Sequence, residues 1–107
     1  MNREFQVATW NVNTLWQPGK FDNLKKEANR LNLDIVGVSE VRWTGVGQEE
    51  DENWKFFYSG GDTHNYGVGI LLRRELVSAV ETWWPVSDRI VYMKLKGSPI
   101  NINIIQV

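Results

Sequence analysis

The stretch "FQVATWNVNTLWQPGKFDNLKKEANRLNLDIVGVSE", residues 5–40, changes its hydrophobic period twice. Phe5 to Trp10 alternates, with Val7 and Thr9 on one face and Ala8 and Trp10 on the other, as a strand does. Pro18-Gly19 then breaks the chain. Beyond it, Phe21, Leu24, Ala28 and Leu31 recur at helical spacing while Lys25, Lys26, Glu27 and Arg30 turn outward, which predicts one amphipathic helix over Phe21 to Leu31. "DIVGVSE" reads as a short strand with apolar residues on both faces, the pattern of a strand buried within a sheet. Strand, helix and strand make a βαβ unit. Its right-handed crossover lays the two strands parallel and brings their carboxyl ends to one edge. The fold class is α/β.

Beyond this unit, "TGVGQEEDEN" reads as a polar loop whose acidic cluster is solvated. Strands dominate the rest: "WKFFYS", "GVGILLR", residues 79–84, "RIVYMKL" and "INIIQV", with "KGSP" as a hairpin turn between the last two. The expectation is one mixed sheet with a large antiparallel component and one clear helix. "DIVGV", "GVGILL" and "RIVYMKL" are apolar on both sides, so the sheet needs cover on both faces, and one helix covers one. An uncovered face predicts self-association or a partly molten state until a complementary half is supplied.

The chain of 107 residues bounds the molecule to one small domain or part of one, and 42% hydrophobic residues with six Trp allow a packed core. With no Cys there is no disulfide framework, thiolate metal site or thiol redox chemistry, which fits a reducing compartment. "MNREFQV" lacks the apolar run of a signal peptide and no stretch is long enough to span a bilayer, so an intracellular protein without a membrane partner is expected. The formal net charge of −1 carries no general basic footprint. Contact with nucleic acid would be local or helped by a metal.

Asn11 ends the first strand of the βαβ unit and Glu40 ends the second, so an amide oxygen and a carboxylate converge where open α/β sheets place ligands. Two hard oxygen donors suit Mg²⁺, which takes one or two carboxylates and keeps several waters; zinc prefers Cys and His. The pair is a weak signal by itself. Asn11 also reads as a turn residue bonding its own backbone, and Glu40 as a solvated acid.

"TWNVNTL", "DIVGVSEVRW", "GVGILL", "SDRIVYMKL" and "INIIQV", in that order, resemble the N-terminal half of the endonuclease/exonuclease/phosphatase superfamily. More narrowly they are similar to the apurinic-endonuclease-like domains of non-LTR retrotransposons and to craniofacial development protein 2-like sequences. The resemblance implies half of a four-layer α/β sandwich of the DNase I-like type, with residues 1–107 as the N-terminal part of a single domain. It implies that Asn11 and Glu40 help bind a catalytic Mg²⁺, with Mn²⁺ as a substitute, and that the substrate is a phosphate ester, DNA above all. A DNA-acting protein implies a nuclear setting within the cell. Asn13, Arg42 and Arg89 are candidates for phosphate contact or for support of the metal ligands.

The family also uses a phosphate-contacting Tyr, an Asp-x-Asn pair that orients the attacking water, and a Ser-Asp-His segment. None has a counterpart here, so these residues alone are expected to be inactive. A phosphatase of the same superfamily and a non-catalytic remnant that binds a partner are the alternative readings. Ser87-Asp88-Arg89 matches Ser-Asp-His in two letters only and reads as a turn, with Arg89 at the site's edge; His64 reads as a surface loop residue. Trp43 reads as a wall of the site or as core. Gly67 and Gly69 read as positions of close packing.

Overall fold

The computed structural model describes residues 5–97 and 101–107. β1 (Val7–Asn11) leads into α1 (Lys20–Arg30) and β2 (Ile35–Ser39), followed by β3 (Val46–Glu50), β4 (Trp54–Ser59) and β5 (Val68–Arg73). A 3₁₀ turn (Arg74–Ala79) carries the chain on to β6 (Val80–Ser87), β7 (Ile90–Leu95) and β8 (Ile102–Gln106).

The βαβ unit forms as the periodicity predicts. β1 and β2 are parallel neighbours, with Val7 opposite Ile35 and Asn11 opposite Ser39. Gly19, at φ 83°, turns the chain into α1, and its carbonyl accepts the Asn23 N–H at 3.0 Å. The helix ends in a Schellman motif: Asn32 takes φ 54°, its N–H bonds the Asn29 carbonyl, and the Leu33 N–H bonds the Ala28 carbonyl. Asn tolerates that left-handed position better than any branched residue. Leu31 is consequently the exposed cap rather than part of the apolar stripe, and Leu33 is buried in its place.

The strands form two sheets, not the single mixed sheet expected. The larger is mixed, in the order β1-β2-β5-β4-β3; the smaller is antiparallel, β6-β7-β8. An apolar run reveals that a strand is buried but not which sheet it joins. The 3₁₀ turn takes the chain out of the first sheet, and β6 carries Pro85 and two register shifts that suit an edge strand. β3 corrects the expected polar loop. Its residues pair with β4 through the backbone, and an edge strand facing water needs no apolar alternation. The turn expected at "KGSP" falls partly on residues 98–100, outside the described residues.

Three layers result. On one face of the larger sheet, Leu24 and Ala28 of α1 pack with Val36, Val38, Phe56 and Leu71. On the other, Ile35, Phe57, Ile70 and Leu72 meet Val91, Met93 and Leu95 of the smaller sheet. The face expected to lie open is therefore covered over β2, β5 and β4 by the chain's own β6–β8, though not over β1. β7 alternates between buried and half-buried residues, so "RIVYMKL" has one core face and not two. Among the described residues two strips stay bare: the outer side of the smaller sheet, where Trp84 lies opposite Tyr92 and Tyr92 opposite Ile105, and the same side of β1 as Ile35, where Val7 and Thr9 are exposed.

Candidate functional site

The loops that leave β1 and β2 stay paired beyond the strands. The N–H groups of Val12, Thr14 and Leu15 donate to the carbonyls of Ser39, Glu40 and Val41 at 3.1, 2.8 and 2.8 Å. Leu15 and Val41 are buried and pin both loops to the helix-side core, so the residues between them are held at the sheet's edge. Val41 and Arg42 in turn donate to the carbonyls of Gly67 and Tyr66 at 3.0 and 2.9 Å, joining the start of β5 to the same edge.

This edge is strained. Among the described residues, five that are not glycine have positive φ; one is the cap Asn32, and the others are Asn13 (50°), Thr14 (99°), Glu40 (55°) and Arg42 (62°). A β-branched Thr at such an angle is disfavoured, and strain of this kind costs on the order of 1–3 kcal/mol per residue. The paired loops impose it. It gathers where the sequence places its candidate ligands.

Asn11 takes the turn role: its Oδ1 accepts the Asn13 N–H at 3.0 Å. One lone pair of that oxygen is left for another partner. The Asn13 Oδ1 accepts from Arg42 Nη2 at 3.4 Å, while Arg42 Nε is buried without a hydrogen-bond partner. A buried guanidinium N–H with no acceptor is costly; the planar guanidinium as a whole is of the kind that takes an anion such as phosphate. Glu40 lines a cavity of about 220 Å³ together with Ser39, Tyr66, Asp88 and Arg89. Arg89 stands over the Tyr66 ring, its Cζ 4.2 Å from the centroid. The structure thus brings Glu40 and Arg89 to one cavity and Asn13 and Arg42 into contact. Asn11, opposite Ser39 in the ladder, does not line the Glu40 cavity.

Two residues stand closer to this edge than the sequence suggests. Asp88 does form the hairpin turn between β6 and β7, with Ser87 opposite Ile90, yet it also lines the Glu40 cavity. His64 is exposed but not idle. Its Nδ1 lies 2.8 Å from the Arg42 carbonyl oxygen, which makes Nδ1 the protonated nitrogen, and its ring meets Trp16. Neither contact has a signature in local sequence, because both arise between loops far apart in the chain. Trp43 is both wall and core: its Nε1–H donates to the Leu15 carbonyl at 3.0 Å and its ring packs edge-on against Phe56 and Tyr58.

Glu40, Asp88 and the free lone pair of Asn11 are hard oxygen donors, the kind that Mg²⁺ takes alongside water. They fit the ion in chemistry and are sparse in number. Among the described residues no three His, Cys, Asp or Glu side chains gather as a metal-binding group.

A family model described as Endonuclease/Exonuclease/phosphatase family matches residues 8–105, nearly the whole chain. The chain belongs to that family. It is 33% identical over 105 residues to craniofacial development protein 2 of Tragulus javanicus and, equally, to that of Bos taurus. The match covers 97% of this chain and 18% of each relative, so the chain spans about a fifth of their length. A strand-rich chain with a mixed sheet and one α-helix is compatible with a fragment of this hydrolase family. Among the described residues no helix is long and apolar enough to cross a membrane.

Proposed function

We propose that this chain carries the metal- and phosphate-binding edge of a Mg²⁺-dependent phosphodiester hydrolase acting on DNA, as part of a DNase I-like sandwich. The observation that supports this best is the gathering of left-handed backbone at Asn13, Thr14, Glu40 and Arg42, on loops fixed by buried Leu15 and Val41. Stored strain of this kind clusters at binding and catalytic sites.

In this reading Glu40 and Asn11 would hold the ion, and a bound Mg²⁺ would supply charge neutralisation at the phosphate oxygens. Arg42 offers its guanidinium to a phosphate oxygen, and Asn13 steadies it. Arg89, lining the same cavity as Glu40 and Asp88, balances their negative charge. The sequence is read as lacking the family's water-orienting and Ser-Asp-His segments, so the edge binds without turning over. Self-association, expected above from an open face of the larger sheet, keeps the outer side of β6–β8 and the exposed Val7 strip of β1 as its basis.

The test is a titration with the dinucleotide thymidylyl-thymidine, followed by amide chemical shifts. Shifts at residues 13, 40–42 and 89 that need Mg²⁺ and weaken in Arg42→Gln are expected. Shifts confined to other surfaces, or unaffected by that substitution, would overturn the reading.

A further inference from the structure

Trp16 is 62% exposed, yet the backbone that presents it is fixed. Thr14 and Leu15 are bonded to the β2 loop, and the Trp16 N–H donates to Thr14 Oγ1 at 3.0 Å. Leu15 beside it is buried in the core. One side of the indole rests on His64, with ring centroids 3.9 Å apart and planes tilted by 43°. His64 is itself held against the Arg42 carbonyl. Trp16, His64, Arg42 and Asn13 therefore form an unbroken line of contacts from an exposed aromatic to the phosphate candidate.

Trp16 also forms the lip of an open groove of about 510 Å³, walled by Trp43 and Tyr58 and bounded by Asp22 and Glu49. The charges are divided. Asp22 and Glu49 line the groove, and Arg42 does not. A polyanion backbone is drawn to the arginine and repelled from the groove, whereas the flat, uncharged part of a nucleotide is free to enter it. A large aromatic held in place loses little freedom when a second ring stacks on it.

We propose that Trp16, backed by His64, is the stacking surface for a nucleobase of a single nucleic-acid strand whose phosphate lies against Arg42. This rests on the phosphodiester reading above and adds to it a contact that recognises the base. Stacking on an aromatic side chain tolerates any base, so the site discriminates between nucleotides with and without a base rather than among sequences.

The test compares two end-labelled single strands of equal length, oligothymidylate and a strand of abasic tetrahydrofuran units, by fluorescence anisotropy at low salt with Mg²⁺ and the whole chain. The chain is expected to bind oligothymidylate more tightly than the abasic strand. Trp16→Ala should weaken oligothymidylate about tenfold or more while leaving the abasic strand unchanged, and Trp16→Phe should recover most of the loss. Because Trp16 is exposed, circular dichroism is expected to be the same for all three proteins. Equal binding of both strands by the unaltered chain, or a Trp16→Ala protein that binds oligothymidylate normally, would overturn the stacking proposal and leave the phosphate reading standing. Binding of neither strand would overturn both.

Discussion

Gly37 in β2 and Gln106 in β8 occupy the same space between the two sheets: a Cβ built on Gly37 would fall inside the Gln106 carboxamide. Gly37 is the inward-facing middle residue of β2, and Gln106 is a buried polar residue on the inner side of β8. The missing side chain lets the last strand close over the larger sheet near the carboxyl edge. Gly37→Ala should therefore destabilise the fold by about 1–3 kcal/mol through overpacking, measured by urea denaturation. Combining it with Gln106→Ala should recover part of that loss, because the two changes relieve one clash. Full additivity of the two losses would mean that the sheets do not meet there.

Asp51 joins the acidic segment to the helix. Its Oδ1 accepts the N–H groups of Asn53 and Trp54 at 2.8 and 2.9 Å, and its Oδ2 accepts from Lys25 at 2.8 Å. Burial works against both charges, but the hydrogen bonds and the opposite charge outweigh it: Asp51 titrates below its ordinary 3.8, and Lys25, also beside Asp22, above its ordinary 10.5. The carboxylate's contribution is thus present above pH 3.8 and lost as pH falls through its lowered value. The ammonium's is complete below pH 10.5 and lost as pH rises through its raised value. Both groups are partly solvated, so Lys25→Met should cost only about 0.5–1 kcal/mol at neutral pH. Stability curves of the variant should be flatter at both extremes of pH.

Arg73 ends β5 by bonding backwards onto the helix cap. Its Nε and Nη2 both donate to the Leu33 carbonyl, its Cζ lies 4.3 Å from the Trp54 ring centroid, and its Nε lies 3.7 Å from buried Asp34. Only a planar fork makes these contacts together. Arg73→Lys should cost about 1–2 kcal/mol and Arg73→Ala about 2–4 kcal/mol in chemical denaturation. Equal, negligible losses would show the fork to be incidental.

The βαβ unit was legible because its evidence is local: an alternating strand, a helical stripe after a Pro-Gly break, and a strand apolar on both faces all lie within residues 5–40. The strands "WKFFYS" and "GVGILLR" were legible for the same reason, as was the close packing at Gly69, where a Cβ would collide with the Phe56 ring. The division into two sheets was not. It depends on where the 3₁₀ turn sends the chain, which no hydrophobic period encodes. β3 escaped because backbone pairing at an edge leaves no apolar trace. At the site, the sequence brought Asn11 and Glu40 to one edge, since parallel pairing dictates it. The Asn13–Arg42 contact, the presence of Asp88 beside Glu40 and the Trp16–His64 pair come from tertiary contacts between distant segments, with nothing in the neighbouring residues to announce them.

Because the sequence is read as lacking the family's water-orienting and Ser-Asp-His segments, the chain is expected to nick no plasmid and to cleave no abasic site with Mg²⁺ or Mn²⁺. Turnover that disappeared in Glu40→Ala would contradict this, since a contaminating nuclease would be indifferent to that substitution.

The central claim is that the edge formed by Asn11 and Glu40 holds a divalent metal. Mn²⁺ added to isotopically labelled chain at less than one equivalent broadens the amide signals nearest to where it binds. Broadening is expected first at residues 11–13, 39–42 and 88–89, reversed by excess Mg²⁺ and absent in Glu40→Gln. Broadening centred instead on the acidic residues 49–52, and unchanged in Glu40→Gln, would contradict the account.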